Sequence, residues 1–214
     1  MPRKMELYMF GTMFFFGALT LNFIGWFPSF CVQMTIFSKE QAAFTLGLSA
    51  LLQVSLRALS VPCRISSTHF LRFSCCAFLA FAPIMAMLLW MGLKPYLGYV
   101  GYAYLPLAEC LFIPSMYSLP SEFGLELSSN TASKMMLGYA FGEASLTFAT
   151  GYLMEIHPMS LFGVLFVLAI LLGGSGWKVL ALMEGEKEEI EGGIKGEMKV
   201  ELKEEKNESV ETLP

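Results

Sequence analysis

Up to residue 183 the chain runs as long apolar stretches separated by short polar breaks. A helix needs about 20 apolar residues to cross a hydrocarbon core of ~30 Å. The pattern predicts six such spans, at about 5–32, 41–61, 70–93, 96–119, 133–156 and 160–183. The first is softened toward its end by Gly25 and Pro28, and the third is bent at Pro83 and closes on Trp90, an aromatic suited to a membrane interface. The fourth holds Pro106 and Pro114 on either side of Glu109 and reads as a broken helix. Pro120 to Ala132 is too polar for lipid and reads as an interfacial loop. The sixth ends in Gly173-Gly174-Ser175-Gly176, where its last turns are expected to loosen. The fold class is thus all-α, a polytopic membrane protein of six transmembrane helices.

Charge adds a second region. The 214 residues are 55% hydrophobic and 15% charged, with a mean hydropathy of +0.58. Half of the charged residues, 11 Glu and 5 Lys, lie in residues 184–214. A stretch so rich in charge and poor in apolar residues cannot offset the entropy of folding, so residues 184–214 are expected to be a disordered cytosolic tail. The membrane part carries 7 Glu against 9 Lys and Arg. The chain has no Asp and only two His, which argues against metal or carboxylate-pair chemistry. No enzyme activity, metal or cofactor is expected, and nothing points to nucleic acid. Cys31, Cys63, Cys75, Cys76 and Cys110 lack CxxC spacing and read as small buried hydrophobes.

Within the spans the polar residues are the informative ones. Glu143 lies in the middle of the fifth span, where a carboxylate costs several kcal/mol unless it faces protein or water. It follows Gly142, and Gly138 and Gly142 have the small-xxx-small spacing that lets two helices approach closely. A functional site, for ion or proton coupling or for gating, is the default reading of Glu143, and packing by a hydrogen-bonded or protonated carboxyl is the alternative. Glu109, in the bent fourth span, divides evenly between a functional and a structural role. Arg57 reads first as a side chain reaching the cytosolic interface, with neutralisation of a carboxylate as the alternative. Asn22, Trp26, Gln33 and Gln53 supply the amides and aromatic face from which polar-solute sites are assembled, and each also serves as a helix contact.

The ordered set Gly25-Trp26, Arg57-Ala-Leu-Ser-Val-Pro62, Ile113-Pro114 with Glu122, then Lys134, Gly138, Gly142-Glu143 and Gly151-Tyr-Leu-Met154 resembles the C-terminal half of a major facilitator superfamily transporter. The resemblance is nearest to the sodium-dependent glucose transporter-like and fucose-permease-like branch, and it covers about residues 5–183. It implies transmembrane transport of a small polar solute, a sugar with Na⁺ or H⁺, by alternating access. Glu143, Glu109, Trp26 and Gln53 are then the candidates for the substrate or ion pathway. Such transporters have two six-helix halves, so the chain reads as a fragment or as a half-size protein that pairs with a second half. The alternative is a non-transporting membrane scaffold or regulatory subunit that uses the half-fold and the acidic tail to bind a partner.

Basic residues set the expected orientation. With six spans, Arg3, Lys4, Arg57, Arg64, Arg72, Lys134 and Lys178 fall on the side of the termini, and Lys39 and Lys94 on the other. Both termini are therefore expected in the cytosol. An accessibility tag placed beside Lys94 should react from the outside of intact cells, and one beside Gly185 only after permeabilisation. The reverse pattern would overturn this orientation.

Overall fold

The computed structural model describes residues 2–60 and 66–211, with side chains described up to residue 188. Residues 61–65, which hold Cys63, Arg64 and the Val61-Pro62 end of the second-span motif, lie outside the described residues. All regular structure among the described residues is helical: α1 (Arg3–Gln33), α2 (Lys39–Ser60), α3 (Ser67–Trp90), α4 (Lys94–Glu109), α5 (Phe112–Glu122), α6 (Ser129–Ile156) and α7 (Ser160–Glu211). Among the described residues, five stretches are long and apolar enough to cross a membrane: α1, α2, α3, the α4 and α5 pair, and α7 as far as Glu188. α6 is long enough at 28 residues, but Lys134, Glu143 and its Ser, Thr and Gly content keep it out of that group.

Two boundaries differ from the sequence reading. The polar stretch 120–132 is mostly helical, leaving only 123–128 as a link. α5 runs through Pro120 and stops where Gly124 adopts φ +72°, a conformation that favours glycine, and the Ser128 hydroxyl caps α6 by accepting from the Thr131 N–H at 3.1 Å. The second difference lies in residues 184–211, expected as part of a disordered tail. The backbone of α7 continues unbroken as helix through the glycine cluster at 173–176 and on to Glu211. Residues 184–211 are dominated by Glu and Lys, which lose little freedom in a helix, and Glu191 and Lys195 stand at favourable i, i+4 spacing.

α1 is the central element. Met5, Met9, Met13, Phe16, Phe23, Phe27 and Phe30 recur at spacings of three, four and seven and are all buried. Their rings interlock with neighbouring helices: Phe16 stacks on Phe112 at 4.1 Å, Phe27 meets Tyr102 edge-on at 5.1 Å, and Phe30 meets Phe162 edge-on at 4.9 Å. Cys31, Cys75 and Cys110 are buried free thiols, whereas Cys76 is exposed, because it follows Cys75 on α3 and so points about 100° away around the helix.

The pairings between helices show that they alternate in direction. Glu6 of α1 binds Thr131 and Lys134 of α6 at 2.7 and 2.6 Å, and Trp26 donates to the Thr147 carbonyl at 3.0 Å, so α1 and α6 are parallel. At the Glu6 end, Glu122 of α5 accepts from the Ser67 N–H and from the Ser66 and Thr68 hydroxyls, capping the start of α3. Arg72 of α3 pairs with Glu184 of α7 at 2.8 Å and lies over the Trp177 ring.

Between α1 and α6 the backbones touch. A Cβ on Gly138 would lie 2.6 Å from the Phe10 carbonyl oxygen, a Cβ on Gly142 would collide with the Phe14 carbonyl, and one on Gly17 would collide with that of Tyr139. Gly11, in contrast, has open space around it. Gly142→Leu is therefore expected to destabilise the fold by roughly 3 kcal/mol or more, while Gly11→Leu leaves it near wild type. Thermal unfolding of the detergent-solubilised chain measures both, and equal midpoints would show that the seam is not essential.

Candidate functional site

The site begins with a proline. Pro114 has no N–H to give to the carbonyl four residues earlier, and its ring crowds that carbonyl, so the helix breaks at Cys110 and Leu111 between α4 and α5. The freed Cys110 carbonyl is taken instead by Arg57 of α2, whose Nε donates to it at 3.1 Å. One turn earlier on α2, Gln53 Nε2 donates to Glu109 Oε2 at 3.0 Å. Spacing of four residues on α2 thus matches adjacent residues at the break.

Glu109 is 2% exposed. One oxygen is held by Gln53, and the other, Oε1, is buried without a hydrogen-bond partner. Thr20 of α1 faces the same carboxyl without closing a hydrogen bond, so its hydroxyl is buried and unpaired too. Each such group costs about 1–3 kcal/mol if left unsatisfied. Glu109 and Gln53 line a cavity of about 150 Å³, walled by Phe23, Ile24, Leu46 and Leu105. Water takes ~30 Å³ per molecule in the liquid, so the space suits a few waters or a small cation, and it falls below the ~300 Å³ of ordinary small-molecule pockets.

Comparison of the chain with protein-family models, with curated proteins and with solved structures finds no match to any of them. The functional reading therefore rests on the residues themselves.

Of the four pathway candidates from the sequence, the fold brings Glu109 and Gln53 together and places Trp26 and Glu143 elsewhere. The Trp26 indole packs against Gly151 and bonds the Thr147 carbonyl, at one end of the seam between α1 and α6. Glu143 is half-buried on α6. The Tyr139 ring, one turn back on α6, packs against Phe16 of α1, with centroids 5.9 Å apart. Thr20 and Tyr139 carried no signal in the sequence, being an ordinary threonine and tyrosine in apolar runs. Arg57, read there as an interfacial side chain, turns inward at its Nε to a backbone carbonyl. The signal that would have found it is the match between Pro114 lying four residues after Cys110 and Arg57 lying four after Gln53.

Gln53→Leu removes the donor to Glu109 Oε2 and leaves both carboxyl oxygens unpaired. It is expected to lower stability by about 1–3 kcal/mol, and Gln53→Glu, which retains an oxygen able to share a proton with Glu109, by less at low pH than at high pH. Thermal unfolding across pH reads this, and a neutral Gln53→Leu would show that the bond contributes nothing.

Proposed function

We propose that this chain is one half of an alternating-access membrane transporter of the major facilitator type, moving a small polar solute of the sugar class. The observation that carries the proposal is the Glu109 carboxyl, buried near the middle of the α4 and α5 pair with one oxygen open, beside a small cavity it shares with Gln53. A buried carboxylate within membrane-spanning helices is a functional site by default, and transporters of this kind place their sites at mid-depth on broken helices. The cavity is too small to enclose a sugar by itself, and a half-transporter supplies only one wall of its site. Glu109 and Gln53 are the polar floor of that wall. Glu143, half-buried on α6, is the proposed coupling group for Na⁺ or H⁺, and both termini are placed in the cytosol by this reading.

Support for a half comes also from α2. It buries only Ala42 and Thr45 outright, and Phe44, Leu48, Leu51 and Leu59 are exposed along it. One feature favours the scaffold alternative: α7 spans 52 residues, about 78 Å at 1.5 Å per residue, far more than a bilayer core, so its charged end is additional to what a membrane span needs.

The test is solute uptake into vesicles. The chain reconstituted as a monomer should not transport, and the chain paired with a second half should. Glu109→Gln is then expected to lower uptake at least tenfold with membrane insertion unchanged, and Glu143→Gln to weaken the dependence on Na⁺ or pH. Uptake indifferent to Glu109→Gln would remove that residue from the pathway, and transport by the monomer would overturn the half-transporter reading.

A further inference from the structure

At the end of the bundle where α1 and α6 both begin lies a groove of about 670 Å³ lined by Arg3, Lys4, Glu6, Leu7, Phe10 and Lys134. Its walls are almost wholly apolar: Leu7 is exposed, and the Phe10 ring lies over Gly138, where α6 has no side chain to cover it. Its rim is basic. Glu6 is occupied within the protein, with one oxygen on the Thr131 hydroxyl and the other on Lys134, so its charge is matched by Lys134 and those of Arg3 and Lys4 remain. Both of these side chains are exposed.

We infer that this groove seats an anionic phospholipid of the surrounding bilayer, its phosphate at Arg3 and Lys4 with Lys134 at the edge, and an acyl chain along Leu7 and Phe10. The inference rests on the membrane reading of the helices. A basic rim above an apolar cleft between membrane helices matches an acidic headgroup with its chain attached. A soluble phosphate would leave Leu7 and Phe10 uncovered, and a zwitterionic lipid would leave the two cations unmatched. The groove lies at the ends of two helices, the depth at which headgroups sit. The bound lipid would touch both sides of the Glu6 and Lys134 pair and so brace the end of the seam between α1 and α6.

The experiment uses the full chain in mild detergent, with retained lipid counted by native mass spectrometry. Phosphatidylglycerol and phosphatidylcholine of identical acyl chains are offered together. Wild type is expected to retain phosphatidylglycerol about tenfold or more over phosphatidylcholine, and the double variant R3Q/K4Q to lose that preference, since one basic residue near anionic headgroups is worth roughly a fivefold change. Arg3 and Lys4 are chosen because Lys134→Gln would also strip Glu6 of its partner; an unchanged unfolding midpoint for R3Q/K4Q separates lost binding from lost folding. Equal retention of the two lipids, a preference that survives R3Q/K4Q, or displacement of the lipid by millimolar glycerol phosphate would each overturn the site. Alkaline carbonate extraction tests the membrane reading separately: a chain released by it overturns both readings, and one that stays embedded without lipid preference overturns the lipid site alone.

Discussion

Direct contact between the backbones of α1 and α6 is the constraint from which the remaining arrangement follows. Inside a bilayer, burying a leucine against protein gains little over leaving it in lipid, so helices associate through close packing and polar bonds. Gly17, Gly138 and Gly142 allow the closest packing two helices can make. The seam is then fixed in register by polar contacts at its two ends, Glu6 with Lys134 and Trp26 with the Thr147 carbonyl. With register set, Tyr139 and Glu143 have no freedom of placement: they flank Gly142 on the same helix, at the margin of the seam.

The proline break between α4 and α5 works with this seam. A continuous helix would satisfy the Cys110 carbonyl internally and give Arg57 no reason to turn inward. Breaking it recruits α2, which otherwise makes few close contacts, through two polar bonds that land on adjacent residues, Glu109 and Cys110. The balance of magnitudes is instructive. Holding a carboxylate in a low-dielectric interior costs several kcal/mol, and a hydrogen bond to a charged group returns about 1.5–3. With one oxygen bonded and one open, Glu109 is left short of full compensation. That shortfall is the physical basis for assigning it to a solute or ion pathway in the proposed transporter.

The two ends of the bundle differ in kind. Where α1, α3 and α6 begin, charges are organised into pairs and caps: Glu6 with Lys134, Glu122 over the start of α3, and Arg72 between Glu184 and Trp177. The exposed ion pairs contribute little stability individually. Their consistent placement at one end still ties the helix ends together and leaves Arg3 and Lys4 facing outward.

Hydrophobic run length and proline position were enough to read seven-tenths of the chain as long apolar helices with a break near Pro106 and Pro114, because helix length in a bilayer and the missing proline N–H are local properties. Composition by itself argues for disorder in residues 184–214, and the backbone as far as Glu211 continues the preceding helix, whose formed turns supply the nucleus that an isolated segment lacks. In the site, Glu109 and Gln53 were visible as polar residues in apolar runs, but their hydrogen bond was not, since 56 residues separate them. Thr20, Tyr139 and the inward turn of Arg57 were decided by tertiary structure alone. Which residues share a wall depends on helix rotation, and that is set by the glycine seam and the proline break acting between helices.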